Sequence, residues 1–410
     1  MFFDNLLYDA ISEKSRSCNQ MAIETQSRYS VDITKQGIDQ RFNEGARKYI
    51  HSLIGEVLSK QVTQSLDVGW LKSFERIIIK DSSKFDLNAR VKNKLPGFGG
   101  SASEAGACLQ YEFDIKTGYV NDLAITPANS SDSKNALSTI DSVRKGDLTI
   151  RDLGYFVTEY FEKLQEKEAF FLSRLNASVA VYKKNPKGEL KEISFGVIYQ
   201  KMIKQKNKTL DMDVFIHRDK RLPVRLIIEP VLEEVYNQRM KKIASYNKKK
   251  GHQLTQKYRD RSRFNLFITN IPSGNLDRKM IIKMYKVRWQ IELVFKVWKS
   301  IFGLDNVAPM KYERLMASLN AKLLIILVNW ETIVAHRTHL FKKKGRLLSI
   351  IKCFKTLKDN SSHLRNILVN GMKGIECWMK WNQEIFGSKH WLEKKKNKLG
   401  FVEIISLNIL

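Results

Sequence analysis

The stretch "YKVRWQIELVFKVWKS", Tyr285 to Ser300, sets charged residues among bulky apolar ones. It has no Gly or Pro and follows "PSGNLD", a helix-start signal, so it is expected to be helical. At about 100° per residue with Tyr285 at zero, Arg288 falls near roughly 300°, Glu292 near 340° and Lys299 near 320°. The four therefore share an arc of about 60°. Met284, Val287, Ile291, Val294, Phe295 and Trp298 border this stripe on one side, and Trp289, Leu293 and Val297 on the other. Lys283, Lys286 and Gln290 form a separate solvent face. A charged stripe between apolar flanks is costly unless it is paired or meets a ligand. Two readings stand. Arg288, Glu292 and Lys299 form a buried ion network, or they form a site with one carboxylate beside two cations, suited to a metal and a phosphate.

Composition narrows the partners. The chain has 410 residues, 43% of them hydrophobic, enough for a large core and roughly two to three domains. Lys and Arg number 71 against 43 Asp and Glu, a net charge of +28. Such a balance points to a polyanion, nucleic acid ahead of an anionic membrane. The most apolar run, "LLIILV" at 323–328, is too short to span a bilayer. The N-terminal "MFFDNLLYDA" carries Asp4 and no basic leader, so no signal peptide is expected. The four cysteines are far apart and form no C-x-x-C pair, which argues against a disulfide framework or a zinc site. His336 and His339 are read as surface or capping residues rather than ligands. A cytoplasmic, reducing compartment is expected.

Along the chain five regions are expected. Residues 1–70 read as short basic helices, with a Gly-centred turn in "DITKQGIDQRFNEGARKYIHSLIGEVL" that suits either a helix-turn-helix or a plain helical hairpin. Residues 71–183 switch to a strand period. "FERIIIKD" is a buried strand ending in Asp81, "CLQYEFDI" and "YVNDLAIT" form a hairpin around "KTG", and a helix is expected near "SDSKNALSTIDSVRK". "DLTIRDLGYF" is a short strand ending at Asp152, followed by a helix (156–166) and a strand pair (169–182). The Gly-rich "GFGGSASEAGA" lacks the G-K-[ST] ending of a P-loop and is read as turns. Residues 184–262 are a β-rich insertion, with "ISFGVIYQ", "LDMDVFIHRD" and "PVRLIIEPV" as strands before one long basic helix over 233–263. Residues 263–310 resume the main domain with "RFNLFITNI" and the helix at 278–300. Residues 311–410 are helical and basic: over 341–400, 15 Lys or Arg face 4 Asp or Glu. Trp378, Trp381 and Trp391 lie among the lysines, which suits a nucleic-acid surface or a helical bundle with buried Trp.

Asp81 and Asp152 each end an expected strand, where a parallel or mixed sheet presents side chains at its carboxyl edge. Glu292 lies on a later helix. Three carboxylates from three elements can hold one or two hard divalent cations, and such ions can activate a hydroxyl and stabilise a leaving oxygen at a phosphodiester. Asp86, Asp114, Asp122 and Asp147 compete, but Asp114 and Asp122 read as hairpin positions and Asp147 precedes its strand.

These residues together resemble the DDE transposases of bacterial insertion sequences. One branch of them carries Tyr-x2-Arg-x3-Glu-x6-Lys around the catalytic Glu, and Tyr285, Arg288, Glu292 and Lys299 match it at every spacing. "IIIKDSS", "IRDLGYF" and "FITNIP" are similar to the segments around the first Asp, around the second Asp and before the Glu helix. The resemblance covers about 70–305. It implies an α/β fold with a ribonuclease-H-like mixed sheet and flanking helices, interrupted by a β-rich insertion, with helical N- and C-terminal regions. Asp81, Asp152 and Glu292 would then be catalytic and bind Mg2+, with Mn2+ as a substitute. Tyr285, Arg288 and Lys299 would contact DNA phosphates. The partners would be double-stranded DNA, at transposon ends and target, and a second copy of the chain when DNA is bound, with no membrane. The alternatives are a related metal-dependent nuclease and a catalytically inactive, transposase-derived DNA-binding protein.

Overall fold

The run Ile77-Ile78-Ile79 is fully buried and opens the first strand, as β-branched residues favour. The computed structural model describes residues 1–11, 16–61, 63–100, 102–206, 208–250 and 253–393. In chain order, helices α1 (Phe2–Ile11), α2 (Cys18–Tyr29), α3 (Lys35–Arg41) and α4 (Glu44–Ser59) precede strands β1 (Ile77–Leu87), β2 (Ala105–Asp114) and β3 (Val120–Pro127). Then come α5 (Asp132–Asn135), β4 (Leu148–Arg151), α6 (Thr158–Glu166), β5 (Phe170–Arg174), β6 (Val181–Lys184), β7 (Leu190–Glu192) and α7 (Phe195–Lys204). Next are β8 (Leu210–Ile216), β9 (Leu222–Pro230), α8 (Glu233–Lys250), α9 (Gln256–Ser262) and β10 (Phe264–Thr269). Helices α10 (Arg278–Tyr285), α11 (Trp289–Ser300), α12 (Tyr312–Lys344), α13 (Ile350–Asp359) and α14 (Ser362–Lys389) complete the order. This is an α/β chain with mixed strand pairing and flanking helices, as expected.

The described residues fall into two compact units. The first holds Met1–Leu71, Asp81–Ser130 and the residues from Trp289 on. Its strands run in the order β3-β2-β1, and every residue of β2 is buried. Its centre is α12, whose most apolar window is 83% buried. That helix is long and apolar enough to cross a membrane, but its apolar faces are covered by protein. Helix α4 packs along it with Ile50 and Ile54 inward, and Arg47 Nε donates to Glu313 at 2.7 Å. Trp330 Nε1 reaches the Gly118 carbonyl at 2.7 Å. Gly118 has φ +80°, and a Cβ there would lie 2.5 Å from Val334, so only glycine permits this approach.

The second unit holds Lys72–Lys80 and Ser131–Arg288. Its strand order is β1-β4-β5-β10-β9-β8-β6-β7. The pairs β1–β4 and β4–β5 are parallel, and the pairs from β5–β10 to β6–β7 are antiparallel. Its core includes Phe161, Leu164, Phe171, Leu226 and Ile268.

Several local expectations are corrected. Strand β1 runs six residues past Asp81, through "SSKFDL", so Asp81 sits inside a strand rather than at its end. "ISFGVIYQ" begins helix α7: the Ser194 hydroxyl caps the Val197 amide, and Phe195, Ile198, Tyr199 and Met202 share one apolar face. Strands β5 and β6 do not pair with each other; β5 lies between β4 and β10. The segment expected as one helix near 130–144 is short α5 and a 3-10 turn at Ile140–Ser142. The long basic helix is two, α8 and α9, the second capped by Thr255; residues 251–252 lie outside the described residues. The N-terminal turn is not Gly-centred. It falls at Phe42–Asn43, where Asn43 caps α4, while Gly37 and Gly45 are helical. Trp378 and Trp391 are buried, which favours packing over a surface role for them. Residues 394–410, with the last four lysines of the basic C-terminal region, lie outside the described residues.

Candidate active site

Strands β1 and β4 are parallel, and their last registered pair is Lys80 with Arg151. Asp81 follows the first of these residues and Asp152 the second. The sequence carries this as a repeated pattern, "IIIKD" and "LTIRD": three strand residues, a cation, then Asp. The two cations were not singled out from sequence. Lys80 is fully buried, with Nζ 3.4 Å from the Ser138 hydroxyl and 3.5 Å from that of Thr139. Arg151 donates to the Ala136 carbonyl at 2.5 Å and the Thr139 hydroxyl at 2.9 Å, and lies 4.0 Å over the Tyr160 ring. Buried cations persist only when hydrogen-bonded. These two tie the segment 136–139 to the strand residues just before both aspartates.

In the second unit the motif helix meets Asp152. Asp277 caps α10 by accepting from the Met280 amide at 2.6 Å. Tyr285 ends that helix and its ring rests on Phe267 at 5.2 Å. Its hydroxyl donates to Asp152 Oδ1 at 3.5 Å, the long end of hydrogen-bond range. Burial pushes the Tyr285 phenol up to about 12, against an opposing pull from Arg288, so it stays protonated and able to donate. Arg288 Nε lies 3.8 Å from the same Asp152 oxygen. The Asp152 side chain remains 40% exposed, open to a further partner. A residue of β9 supports this end of the unit: Arg225 pairs with Asp211 and donates to the carbonyls of Ile271 (3.1 Å) and Leu276 (2.8 Å), just before α10. No sequence motif marked it.

The helix over 278–300 is interrupted. A 3-10 turn at Lys286–Arg288 separates α10 from α11, so Tyr285 and Arg288 precede the break while Glu292 and Lys299 follow it. The stripe is therefore not one continuous helix face. One expected flank is buried throughout, from Met284 to Trp298; on the other, Trp289 is 55% exposed. The stripe lies at the edge of apolar packing rather than enclosed by it, and Glu292, Arg288 and Lys299 are half-buried.

In the first unit, Glu292 sits in the first turn of α11, a position that favours an acid. Lys299 Nζ donates to the Lys84 carbonyl at 3.0 Å, three residues past Asp81 on β1. Asp81 Oδ1 accepts from the Ser82 amide at 2.8 Å. Behind α11, Trp298 packs edge-on to Tyr111 at 4.7 Å, which orients the helix from its buried side. Of the competing acids, Asp114 closes its hairpin by accepting from Lys116 N and the Thr117 hydroxyl, and buried Asp147 pairs with Arg76.

Among the described residues no group of three or more His, Cys, Asp or Glu is gathered as a ready cation cage. The donor chemistry still fits a hard divalent ion: Asp81, Asp152 and Glu292 supply carboxylate oxygens and none is sealed from solvent.

A family model described as "Transposase DDE domain" matches residues 72–328, which include all six motif residues. The transposase of insertion sequence element IS1151 from Clostridium perfringens is 28% identical over 409 residues, 95% of this chain and 86% of that protein. The transposase of IS231F from Bacillus thuringiensis subsp. israelensis is 29% identical over 341 residues, 80% of this chain and 72% of that protein. A solved piggyBac transposase synaptic complex with hairpin DNA aligns with a TM-score of 0.47 at 10% identity, over 98% of this chain and 77% of that one.

Proposed function

The chain belongs to the DDE transposases of bacterial insertion sequences, and from that premise we propose how its own residues cut and join DNA. The family acts on DNA and depends on a divalent metal. In this reading Asp81, Asp152 and Glu292 hold that metal, Mg2+ with Mn2+ as a substitute. When bound, it supplies activation of the attacking hydroxyl and stabilisation of the leaving oxygen. Tyr285, Arg288 and Lys299 grip phosphate oxygens at the element's ends, Arg288 through its planar fork and Tyr285 through its retained proton. Lys80 and Arg151 hold the backbone beside the two aspartates. Two ends must be held together, so the DNA-bound form is a homodimer. The enzyme works in the cytoplasm, at the nucleoid.

The observation that carries this reading is the convergence of Tyr285 and Arg288 on Asp152, 133 residues away in sequence. The spacing of the motif and the second aspartate were singled out separately, and they meet at one oxygen. A strand-transfer assay on a duplex carrying the element's own terminal sequence tests it. The unaltered chain should give joined product with Mg2+ or Mn2+. Glu292→Gln should bind the duplex but neither cut nor join. Cut product without joining indicates a nuclease, and binding without cutting an inactive derivative; either result overturns the proposal.

A further inference from the structure

The Gly-rich segment Pro96–Gly100 has no part in the site described so far. It is nevertheless built with care. Pro96 bridges to Ala105, Gly97 N donates to the Glu104 carbonyl at 2.8 Å, and Gly99 N donates to the Ser103 carbonyl at 3.2 Å. A Cβ at Gly97 would lie 2.2 Å from the Ser103 carbonyl oxygen, and Gly99 and Gly100 are left-handed, with φ +69° and +64°. Glycine avoids the clash at 97 and adopts the left-handed backbone at 99 and 100 without strain. The turn is thus pinned by its backbone, and it presents Phe98 with 63% of the residue exposed.

The ring is not alone. Lys84 Nζ lies 5.1 Å from its centroid and is itself held by the Ser130 carbonyl at 3.2 Å. The Lys84 carbonyl accepts from Lys299. A chain of contacts therefore runs from Phe98 through Lys84 to the motif lysine, all within the first unit. Among the described Phe, Tyr and Trp residues of this unit Phe98 is the most exposed, ahead of Tyr49 at 56% and Trp289 at 55%. A protein-docking face needs a contiguous apolar patch. A single aromatic ring on a rigid turn, with the Lys84 ammonium beside it, has instead the form of a base-stacking platform.

We propose that Phe98 stacks on a nucleobase of the DNA, next to the phosphate that Lys299 grips. This rests on the DNA-cutting reading above and adds a base contact to it. Stacking of one base on an aromatic ring changes affinity by about 5- to 150-fold, so Phe98→Ala should weaken binding of the terminal duplex by that factor. Phe98→Trp should restore it and Phe98→Leu should not. Replacing single nucleotides near the cut with abasic sites should reveal one position at which the parent loses the same factor. At that position Phe98→Ala should make no further difference. A melting curve for each variant confirms the fold. If Phe98→Ala binds like the parent, or Phe98→Leu restores binding in full, stacking is wrong while cleavage by the parent leaves the transposase reading intact. If the parent itself fails to bind the duplex, both fall together.

Discussion

Replacing Lys299 with Met keeps the aliphatic stem and removes the ammonium. In the structure that ammonium donates to the Lys84 carbonyl at 3.0 Å from a half-buried position. A hydrogen bond to a charged group contributes about 1.5–3 kcal/mol when sheltered. Here water can take the ammonium's place at the carbonyl, so about 1 kcal/mol is expected, or a fall of about 2–4 °C in melting temperature for a unit of this size. On DNA the loss should be larger. One phosphate partner disappears, so the slope of log affinity against log salt should shrink by about 0.9 between roughly 50 and 200 mM. A steep slope in the parent is expected from the +28 charge. Cleavage should fall at least about tenfold, the equivalent of roughly 1.4 kcal/mol, and Lys299→Arg should restore the salt slope. Melting curves, salt titrations and cleavage rates on the same preparations decide it. An unchanged salt slope with a stability loss of about 3–5 kcal/mol would mean that Lys299 belongs to a structural ion network, and the assignment to phosphate would be wrong.

Arg288→Lys should not be conservative, because a point ammonium cannot reproduce the planar fork assigned to phosphate; DNA-end binding at parent level in a gel-shift titration would count against it. Burial pushes the Glu331 carboxyl up to about 7 from 4.5. Its stabilising contribution is therefore full below about 4.5 and lost as pH rises through 7. Glu331→Gln should then gain about 1–2 kcal/mol at pH 8, discounted for partial exposure, and little at pH 5; an equal gain at both pH values in thermal melts would contradict this. Arg76→Met deprives the fully buried Asp147 carboxylate of its ion pair at 2.5 Å and leaves it the Arg144 amide at 2.7 Å, and should cost about 3–5 kcal/mol in denaturant titrations; a loss below about 1 kcal/mol would show that neutral donors suffice.

What could be read from the sequence divides along a physical line. The Ile77–Ile79 run, the hairpin around "KTG" and the spacing of Tyr285, Arg288, Glu292 and Lys299 all announce themselves, because β-branched runs, turn glycines and fixed intervals are local signals. The continuation of β1 past Asp81 was hidden, since "SSKFDL" is held by its neighbours in the sheet rather than by its own alternation. The 3-10 break at Lys286–Arg288 has no Gly or Pro to mark it. Helix α7 reads as a strand in sequence because its apolar content outweighs the cap at Ser194. Lys80, Arg151 and Arg225 escaped notice because what singles them out is burial and long-range hydrogen bonding, neither of which a single sequence displays.

Arg225 also changes what it means to call residues 184–262 an insertion. Strand β9 pairs with β10 along six residues, and Arg225 on it braces the two carbonyls that lead into α10. Deleting the segment would not trim an appendage. It would turn β10 into a raw sheet edge and leave the approach to Tyr285 without its brace. A frame-preserving deletion that looks harmless on a linear map therefore removes both the sheet partner of β10 and the brace before α10 if it crosses β9.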